Sequence, residues 1–483
     1  MSDFETILRE SLPPYAADRL LEVLGSDSSS AMVSVRVNPF KTSVCDSFND
    51  AFGEDSRPVP WCGGAFFLSG RPAFTLDPAF HAGAYYVQDS SSMFPSLIQE
   101  KICNAADGGT VLDLCASPGG KTTHLLSILK GCSKMPLLVS NEAVGKRVPP
   151  LTDNIAKWGA PNALATNLSA EQLGTLEGFF DVILTDVPCS GEGMFRKSAD
   201  AVDGWSRASV LESAALQRSI LSDVWPALKP GGLLIYSTCT YNHFENQDNV
   251  KYIAEELGAD FIPVENDRLS LVKGLVSLPL GYQFVPGLVD GEGQFFALLR
   301  KKAGESHHKA KPQKHSGKSR FAEIQGDFFG PVRFLFDRES SQLYLLPSEP
   351  GVCSAMMDAV MRLSALGRPF LKTAGCRVGE VKAGKIVPDA DLALSSALAE
   401  AEKGRISAVL PGDGKETALE FFCAEIGRET ALKFLSRENT TPQPSWPRGY
   451  ILLKYRGLGL GFVNNLGSRC NSLHPLMRRI LHR

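Results

Sequence analysis

The chain has 483 residues, of which 43% are hydrophobic and 21% are charged, and its formal net charge is −3 at pH 7. This length is too great for one hydrophobic core and predicts about two to four domains. The net charge gives no support to a general polyanion binder, so contact with nucleic acid must come from local basic surface. No sequence window has the apolar length that a transmembrane helix requires, which excludes a membrane-spanning protein.

The 11 cysteines are scattered along the chain, and no close pair has the spacing of zinc ligands. We therefore expect no metal site. The odd number of cysteines and the polar, acidic start MSDFETILRE, which is unlike a signal peptide, predict reduced thiols and a cytoplasmic protein.

The first 74 residues combine a helical start with short β-like runs. Residues 4–24 are predicted as helix, and the sequences AMVSVRVNPF and WCGGAFFLSG are predicted as strands that proline and glycine interrupt. We interpret residues 1–74 as a small N-terminal subdomain.

From residue 75 to residue 302, apolar strands alternate with amphipathic helices. The predicted strands are 110–114, 137–141, 163–167, 182–186 and 232–237, with 295–300 as a late edge strand. The predicted helices are 121–129, 151–158, 208–228 and 245–257. This alternation is typical of a doubly wound α/β fold with a mostly parallel, Rossmann-like sheet.

The stretch 303–320 is basic, poor in apolar residues and rich in Gly, Ser and Pro, so we interpret it as a flexible linker. Its histidines, His307, His308 and His315, are expected to be solvated rather than to bind a metal. Residues 321–483 are predicted to form a second folded region of mixed strands and helices.

A glycine pair and a lysine follow the first strand of the α/β region, in the sequence VLDLCASPGGKTT. A Walker A loop requires a further glycine where Cys115 stands, and Pro118 interrupts the backbone that would surround a phosphate. The NTPase hypothesis is therefore weak. The alternative is the loop after the first strand of a Rossmann-like sheet, where Gly119 and Gly120 let a cofactor approach the backbone closely.

Acidic residues end two later strands of the same predicted sheet. Glu142 follows the second strand, where it can meet the ribose hydroxyls of a nucleotide-like cofactor. Asp186 ends the fourth strand and points to the same carboxyl edge. The glycine loop, Glu142 and Asp186 favour S-adenosylmethionine over NAD, because the sequence has no second loop for a pyrophosphate.

Two cysteines also lie at strand ends, Cys189 in TDVPCSGEGMFRK and Cys239 in IYSTCTYNHFEN. We expect them near each other and near the cofactor, where backbone amides of the turns can lower a thiol pKa and supply a thiolate. A thiolate of this kind can act as the nucleophile in covalent catalysis. Spacing leaves open which thiol attacks.

The motifs CASPGGKT, NEAVGKR, DVPCSGEG and YSTCT occur in this order and resemble the Nop/Sun family of RNA cytosine-5 methyltransferases. The sequences VPWCGGAFFL, YYVQDSSSM and NNLGSRCNSLHPLMRR are similar to the bacterial RsmF (YebU) branch of rRNA methyltransferases. The resemblance covers nearly the whole chain. Asn167 stands where the family usually has Asp, and Val187 replaces the common Ala before the Pro-Cys pair.

The resemblance implies a methyltransferase core at 75–302, an RNA-binding N-terminal subdomain at 1–74 and a PUA-like RNA-binding region within 321–483. Methylation of cytosine at carbon 5 requires a thiolate that adds to carbon 6 and is later eliminated. The resemblance implies Cys239 as this nucleophile and Cys189 as the residue that promotes proton loss and release. We further expect Asp186 to contact ring nitrogen 3 of the cytosine and Lys121 to orient the flipped base. The expected S-adenosylmethionine-binding residues are Cys115, Ala116, Ser117, Pro118, Gly119, Gly120, Lys121, Glu142, Arg147, Asn167 and Asp186.

Residues 439–483 contain no Asp or Glu. They carry the cations Arg448, Lys454, Arg456, Arg469, Arg478, Arg479 and Arg483, interleaved with Tyr450, Tyr455 and Phe462. This composition predicts phosphate contacts and base stacking, and the alternative is a solvated tail on a small β domain.

These features favour an S-adenosylmethionine-dependent RNA cytosine-5 methyltransferase that acts on small-subunit rRNA, as a monomer, without metal or membrane. A DNA cytosine-5 methyltransferase would carry a large recognition insert and lack the second thiol. An RNA-binding ribosome-assembly factor with a methyltransferase fold is the non-enzyme alternative, against which the intact Cys189, Cys239, Asp186 and Lys121 argue. Another RNA, such as tRNA, stays open as the substrate.

Overall fold

The computed structural model describes residues 2–26, 32–41, 52, 56–197, 199–303, 319–366, 369–398, 401–411 and 414–481. The histidines of the predicted linker, His307, His308 and His315, and the terminal Arg483 lie outside the described residues. Within the described ranges, no helix has the length and apolar character needed to cross a bilayer.

The N-terminal region contains two helices and a small antiparallel sheet. The predicted helix 4–24 is divided into α1 (Ser2–Ser11) and α2 (Pro14–Leu24), because Pro13 and Pro14 cannot donate the backbone hydrogen bonds that would continue α1. The other elements are β1 (Ser34–Val37), β2 (Arg57–Pro58), β3 (Ala65–Phe67), α3 (Pro78–His81) and β4 (Tyr85–Val87). The strand order is β2-β3-β1-β4, so the N-terminal sheet extends beyond the predicted boundary at residue 74.

The second sheet confirms the predicted doubly wound α/β core. Its strands are β5 (Thr110–Asp113), β6 (Leu137–Asn141), β7 (Ala163–Thr166), β8 (Phe180–Asp186), β9 (Leu228–Thr238), β10 (Ala259–Phe261), β11 (Val276–Leu278), β12 (Gly281–Phe284) and β13 (Gln294–Lys301). The helices are α4 (Gln99–Ala106), α5 (Gly120–Leu129), α6 (Val148–Trp158), α7 (Ala170–Gly174), α8 (Ala199–Asp203), α9 (Arg207–Val224), α10 (Gln247–Glu255) and α11 (Asn266–Leu269).

The five strands in the order β9-β8-β5-β6-β7 are parallel. Strands β6 and β7 lie on one side of β5, and β8 and β9 lie on the other. The strand order therefore switches at β5, and doubly wound folds bind ligands at such a switch point. Buried side chains of β5 alternate between the two faces. Leu112 joins a core with α9 and α10, and Val111 joins one with α4, α5 and α6.

The prediction that 295–300 forms an edge strand is wrong. β13 pairs antiparallel with β9 on one side, and β12 and β10 pair with it on the other. The hairpin of β11 and β12 covers the edge that the sequence pattern left open, so Gln294, the first residue of β13, lies inside the sheet near its carboxyl edge.

The C-terminal region forms the third sheet. Its elements are β14 (Phe321–Phe328), β15 (Pro331–Asp337), β16 (Gln342–Leu345), α12 (Pro350–Ser364), β17 (Leu371–Ala374), β18 (Cys376–Lys382), β19 (Lys385–Pro388), α13 (Ala390–Ala393), β20 (Lys403–Val409), β21 (Glu416–Glu425), α14 (Arg428–Leu435), β22 (Gly449–Tyr455), β23 (Leu458–Asn465) and β24 (Cys470–Ser472). The strand order is β19-β18-β16-β15-β14-β20-β21-β22-β23-β24.

This region packs directly on the second sheet. β17 belongs to the second sheet, where it pairs antiparallel with β7, and the apolar side of α12 joins the core beneath β5–β8. The N-terminal sheet contacts the same region, since Val35 and Tyr85 share a core with Ile451 and Val463. The three parts of the chain therefore share hydrophobic cores.

One largely buried arginine connects the C-terminal region to the α/β core through ion pairs. Arg478 is ion-paired with Asp153 of α6 and, at 2.6 Å, with Asp391 of α13, and its side chain is 12% exposed. Both carboxylates lose a partner if Arg478 is removed, although Asp153 keeps Lys157 at 2.7 Å and Asp391 keeps Arg377 at 4.0 Å.

We therefore expect Arg478→Ala to lower the free energy of unfolding by about 2 kcal/mol, less than the loss for a buried charge that has no other partner. The neighbouring Arg479→Ala is the matched control, because Arg479 is exposed, and it should change stability by less than about 0.5 kcal/mol. Chemical denaturation followed by circular dichroism measures both. Equal stability of the two variants would contradict the structural role of Arg478.

Candidate active site

The two cysteines predicted at strand ends lie in contact. β8 and β9 are neighbours with Asp186 opposite Ser237, so the loops that follow them leave the same edge of the sheet. Cys189 and Cys239 lie in these loops, and their sulfur atoms are 3.0 Å apart. Both side chains are partly exposed, so the thiol pair can be reached from solvent.

The two thiols share one contact in which either sulfur can be the donor. This contact with Cys239, together with burial, raises the pKa of Cys189 well above the usual range.

Asp186 and Lys121 form an ion pair beside the cysteines. Lys121 Nζ lies 2.8 Å from Asp186 Oδ2, and the other carboxylate oxygen accepts a hydrogen bond of 2.8 Å from the Ser237 hydroxyl. Gln294 completes the group, because its Oε1 accepts from Lys121 at 3.4 Å and its Nε2 donates to Asp186 at 3.3 Å. The lysine that a Walker A loop would direct at a phosphate is thus paired with a carboxylate at the cysteine end of the site.

The loop between β5 and α5 follows the edge of the sheet. Gly119 precedes the helix with φ of +110°, in the left-handed region, and an ideal Cβ there would lie 3.3 Å from Asn154 Cβ. Asn154 of α6 donates to the carbonyl of Pro118 at 2.8 Å, and Ala116 donates its backbone N–H to Asn141 at 2.8 Å. The loop is held between the first two parallel strands.

Buried Arg36 of β1 holds the start of α5. Its guanidinium donates to Thr123 Oγ1 at 2.6 Å and to Ser127 Oγ at 2.9 Å, and it lies 4.6 Å from the centre of the Trp158 ring. The N-terminal sheet thereby fixes the helix that carries Lys121.

Glu142, Arg147 and Asn167 surround the other end of the loop. Arg147 and Ser117 exchange two hydrogen bonds, of 2.9 Å and 2.7 Å, and Arg147 Nε lies 3.6 Å from Glu142 Oε2. Asn167 Nδ2 donates to the carbonyls of Glu142 and Ala143, at 2.6 Å and 3.0 Å. The residues predicted around the cofactor therefore converge on one edge of the sheet.

Two further groups under the loop are buried. Burial raises the pKa of Asp113 to about 7, although its Oδ2 accepts a hydrogen bond of 2.6 Å from Thr122. Burial and the carboxylates of Asp113, Asp186 and Glu142 raise the pKa of Cys115 far above the usual range. Cys115 is therefore a neutral thiol in the wall of the site.

Sequence reasoning missed Asp113, Ser237 and Gln294. Asp113 and Ser237 lie next to the sequence motifs. Their position as an acidic and a hydroxyl residue near the ends of parallel strands could have identified them. Gln294 was hidden by the incorrect assignment of its strand to the sheet edge.

The basic C-terminal stretch divides into buried and exposed cations. Arg478 is ion-paired, and Lys454 is buried and donates to the carbonyl of Ala401 at 2.7 Å. The predicted stacking of bases on Tyr455 and Phe462 is wrong, because both rings pack in the core. The cations that remain exposed are Arg448, Arg456, Arg469 and Arg479.

No group of three or more His, Cys, Asp or Glu residues in the described parts of the chain is arranged to hold a metal ion.

Three family models match the chain in order. The N-terminal domain of 16S rRNA methyltransferase RsmF matches residues 2–90, 16S rRNA methyltransferase RsmB/F matches residues 101–300, and the methyltransferase RsmF PUA domain matches residues 421–480. Ribosomal RNA small subunit methyltransferase F of Aeromonas hydrophila is 30% identical over 462 residues, which cover 92% of this chain and 90% of that protein. The chain belongs to the RsmF family of ribosomal RNA small subunit methyltransferases.

The protein of the same name from Aliivibrio fischeri strain MJ11 is 37% identical over 304 residues, covering 60% of this chain and 61% of that protein. The crystal structure of PH0851 superposes with a TM-score of 0.53 at 23% identity, covering 61% of this chain and 65% of that one, which supports the fold. The predicted family, the Rossmann-like core and S-adenosylmethionine as the cofactor are thereby confirmed for this RsmF family member.

Proposed function

We propose that this RsmF family member methylates carbon 5 of a cytidine in small-subunit ribosomal RNA, with Cys239 as the nucleophile. The 3.0 Å contact between the sulfurs of Cys189 and Cys239 carries the proposal, because a single thiol cannot both attack the base and assist its own release. The names of the relatives support rRNA as the substrate.

The residues around the β5–α5 loop fit S-adenosylmethionine. Glu142 Oε2 accepts no hydrogen bond from any described residue although the side chain is only 4% exposed, so it can accept from ribose hydroxyls. Asn167 uses its amide nitrogen on main-chain carbonyls, which leaves its Oδ1 as an acceptor for an amino group. Asn can thus replace the Asp usual in the family.

Arg147 and the loop complete the proposed cofactor site. The loop residues Cys115 to Lys121 line it, and Arg147 holds the loop to Glu142 through its contacts with Ser117. S-adenosylmethionine, when bound, supplies the electrophilic methyl group that carbon 5 of the cytosine accepts.

Cys239 adds to carbon 6 of the flipped base, forming a carbon–sulfur bond and moving electron density to carbon 5. In the contact between the two sulfurs, a hydrogen bond donated by one thiol favours negative charge on the other. The family resemblance, rather than this symmetric contact, supports Cys239 as the attacking thiol.

Asp186 and Lys121 position the base during the addition. Asp186 is expected to contact ring nitrogen 3 through a shared proton, which compensates the negative charge that develops there, and Lys121 is expected to orient the base through its polar edge. Ser237 and Gln294 hold the carboxylate on its other side, so its direction is fixed before the substrate binds.

Release requires that the proton on carbon 5 leave and that the carbon–sulfur bond break. We propose that the Cys189 thiol first gives its proton to solvent and that its thiolate then takes the proton from carbon 5. The electron pair of that C–H bond re-forms the double bond between carbons 5 and 6, and the bond to sulfur breaks and releases Cys239 as a thiolate. The partial exposure of Cys189 is consistent with proton exchange with solvent.

The exposed arginines of the C-terminal sheet are the proposed phosphate contacts. Arg448 precedes β22 and Arg469 lies in the turn between β23 and β24, and both are at the same end of the paired strands. Their guanidinium groups can bind neighbouring phosphates, whereas the buried Arg478 and Lys454 serve the fold.

The first prediction concerns the cofactor. Glu142→Ala should weaken S-adenosylmethionine binding about 10- to 100-fold, because charge-assisted hydrogen bonds to the ribose are lost. Isothermal titration calorimetry measures this, and Glu171→Ala, an exposed carboxylate on α7, should bind like the wild type. Unchanged affinity in Glu142→Ala would contradict the assignment.

The second prediction separates the two thiols. Cys239→Ala should abolish methylation of 16S rRNA and form no covalent adduct, whereas Cys189→Ala should accumulate an enzyme–RNA band that survives denaturing electrophoresis. The double variant should give no band, because trapping requires the attack. A band in Cys239→Ala and none in Cys189→Ala would reverse the roles, and bisulfite sequencing locates the modified cytidine.

The third prediction concerns RNA binding. β22–β24 belong to a continuous sheet, so point substitutions test this surface better than deletion. Arg448→Ala/Arg469→Ala should weaken rRNA binding and reduce the slope of log K against log salt by roughly 1.4 to 1.8. The control Lys251→Ala/Lys273→Ala removes two exposed cations of the methyltransferase core. An equal effect of both pairs would contradict a specific phosphate surface.

A further inference from the structure

Two buried glutamates lie beneath the cysteine pair, one in each cysteine loop. Glu192 follows Cys189 and is 1% exposed, and Glu245 follows Cys239 and is fully buried. Each carboxylate accepts hydrogen bonds from the loop that carries the other cysteine.

Glu192 binds the backbone that follows Cys239. Its Oε2 accepts from the N–H groups of Tyr241 and Asn242, at 2.7 Å and 3.2 Å. Its Oε1 accepts from the Asn242 side chain at 2.8 Å and from the Trp205 indole at 3.1 Å. All four contacts come from N–H donors, which suit a carboxylate.

Glu245 binds the backbone that follows Cys189. Its Oε2 accepts from the N–H of Ser190 at 3.0 Å and from Gln217 at 2.7 Å, and Gln217 also donates to the carbonyl of Pro188 at 2.9 Å. Its Oε1 accepts from Asn242 at 2.8 Å. Asn242 thus joins both carboxylates.

The two cysteine loops pack closely against each other at Gly193. An ideal Cβ on Gly193 would lie 2.4 Å from the carbonyl oxygen of Cys239 and 3.1 Å from its Cβ. A side chain at this position must therefore push the two loops apart.

We propose that Glu192 and Glu245 are positioning residues that form a crossed clamp, in which Glu192 fixes Cys239 for attack and Glu245 fixes Cys189 for release. The inference rests on the proposed roles of the two thiols. Burial raises the pKa of both carboxylates, to about 7 for Glu192, whereas the N–H donors on their oxygens act in the opposite direction and favour the ionised forms.

We expect loss of the Glu192 contacts and loss of the Glu245 contacts to affect different steps of the reaction. Loss of the Glu245 contact frees the loop of Cys189, so addition continues while release slows and the covalent adduct accumulates. Loss of the Glu192 contact frees the turn of Cys239, so addition itself slows. A purely structural role would lower both steps together.

The test measures adduct formation and methylation on small-subunit rRNA with the full chain. Glu245→Ala, with both cysteines present, should raise the fraction of enzyme in the denaturant-resistant adduct at least about 10-fold over wild type. Glu192→Ala placed in Cys189→Ala should form the adduct about 10-fold more slowly than Cys189→Ala alone. Glu212→Ala, an exposed carboxylate on α9, is the matched control and should leave both measurements unchanged.

Calorimetric S-adenosylmethionine binding reports whether each variant is folded. If an alanine variant does not bind the cofactor, Glu192→Gln and Glu245→Gln, which keep one carbonyl acceptor and the volume, give the same comparison with smaller effects. Gly193→Ala keeps both carboxylates but separates the loops, and it should slow addition and release together.

The clamp is overturned if folded Glu192 and Glu245 variants behave like Glu212→Ala, or if both lower adduct formation equally. If instead the proposed roles of the two thiols are wrong, the adducts of the cysteine variants show it. If Cys239→Ala traps RNA and Cys189→Ala does not, the clamp predicts the mirrored pattern, in which the Glu192 variant accumulates adduct and the Glu245 variant slows addition.

Discussion

The register between β8 and β9 is the constraint on which the site depends. These parallel strands place Asp186 opposite Ser237, and the next residues of each strand leave the sheet at the same edge. Two cysteines separated by 50 residues in sequence therefore meet at 3.0 Å. A slip of one residue would turn the strand-end side chains to the opposite face of the sheet and separate Asp186 from Lys121.

The remaining parts of the chain hold this edge in place. Arg36 ties the N-terminal sheet to the start of α5, and the hairpin of β11 and β12 covers β13, which brings Gln294 to Asp186. The C-terminal region adds β17 to the far edge and α12 to one face. Both the N-terminal sheet and the C-terminal region therefore contact the α/β core that carries the site.

Much of this arrangement could be predicted from sequence, because strand–helix alternation and the position of residues after strands depend on local pattern. Glu142, Asp186, Cys189 and Cys239 were found in this way. The position of β13 was not, because the partner strands β11 and β12 are short and carry no strong periodic signal. The stacking role of Tyr455 and Phe462 was wrong because aromatic residues in a basic stretch can equally face the core of a sheet. Glu192 and Glu245 were overlooked because the crossed contacts join loops that are distant in sequence.

The most direct test of the account is the identity of the residue that forms the bond with RNA. A small-subunit rRNA fragment with 5-fluorocytidine at the modified position should trap wild-type enzyme in the presence of S-adenosylmethionine, because fluorine cannot leave carbon 5 as a proton would. After nuclease and protease digestion, mass spectrometry should find the nucleotide on the peptide that contains Cys239. A nucleotide attached to Cys189 would contradict the account.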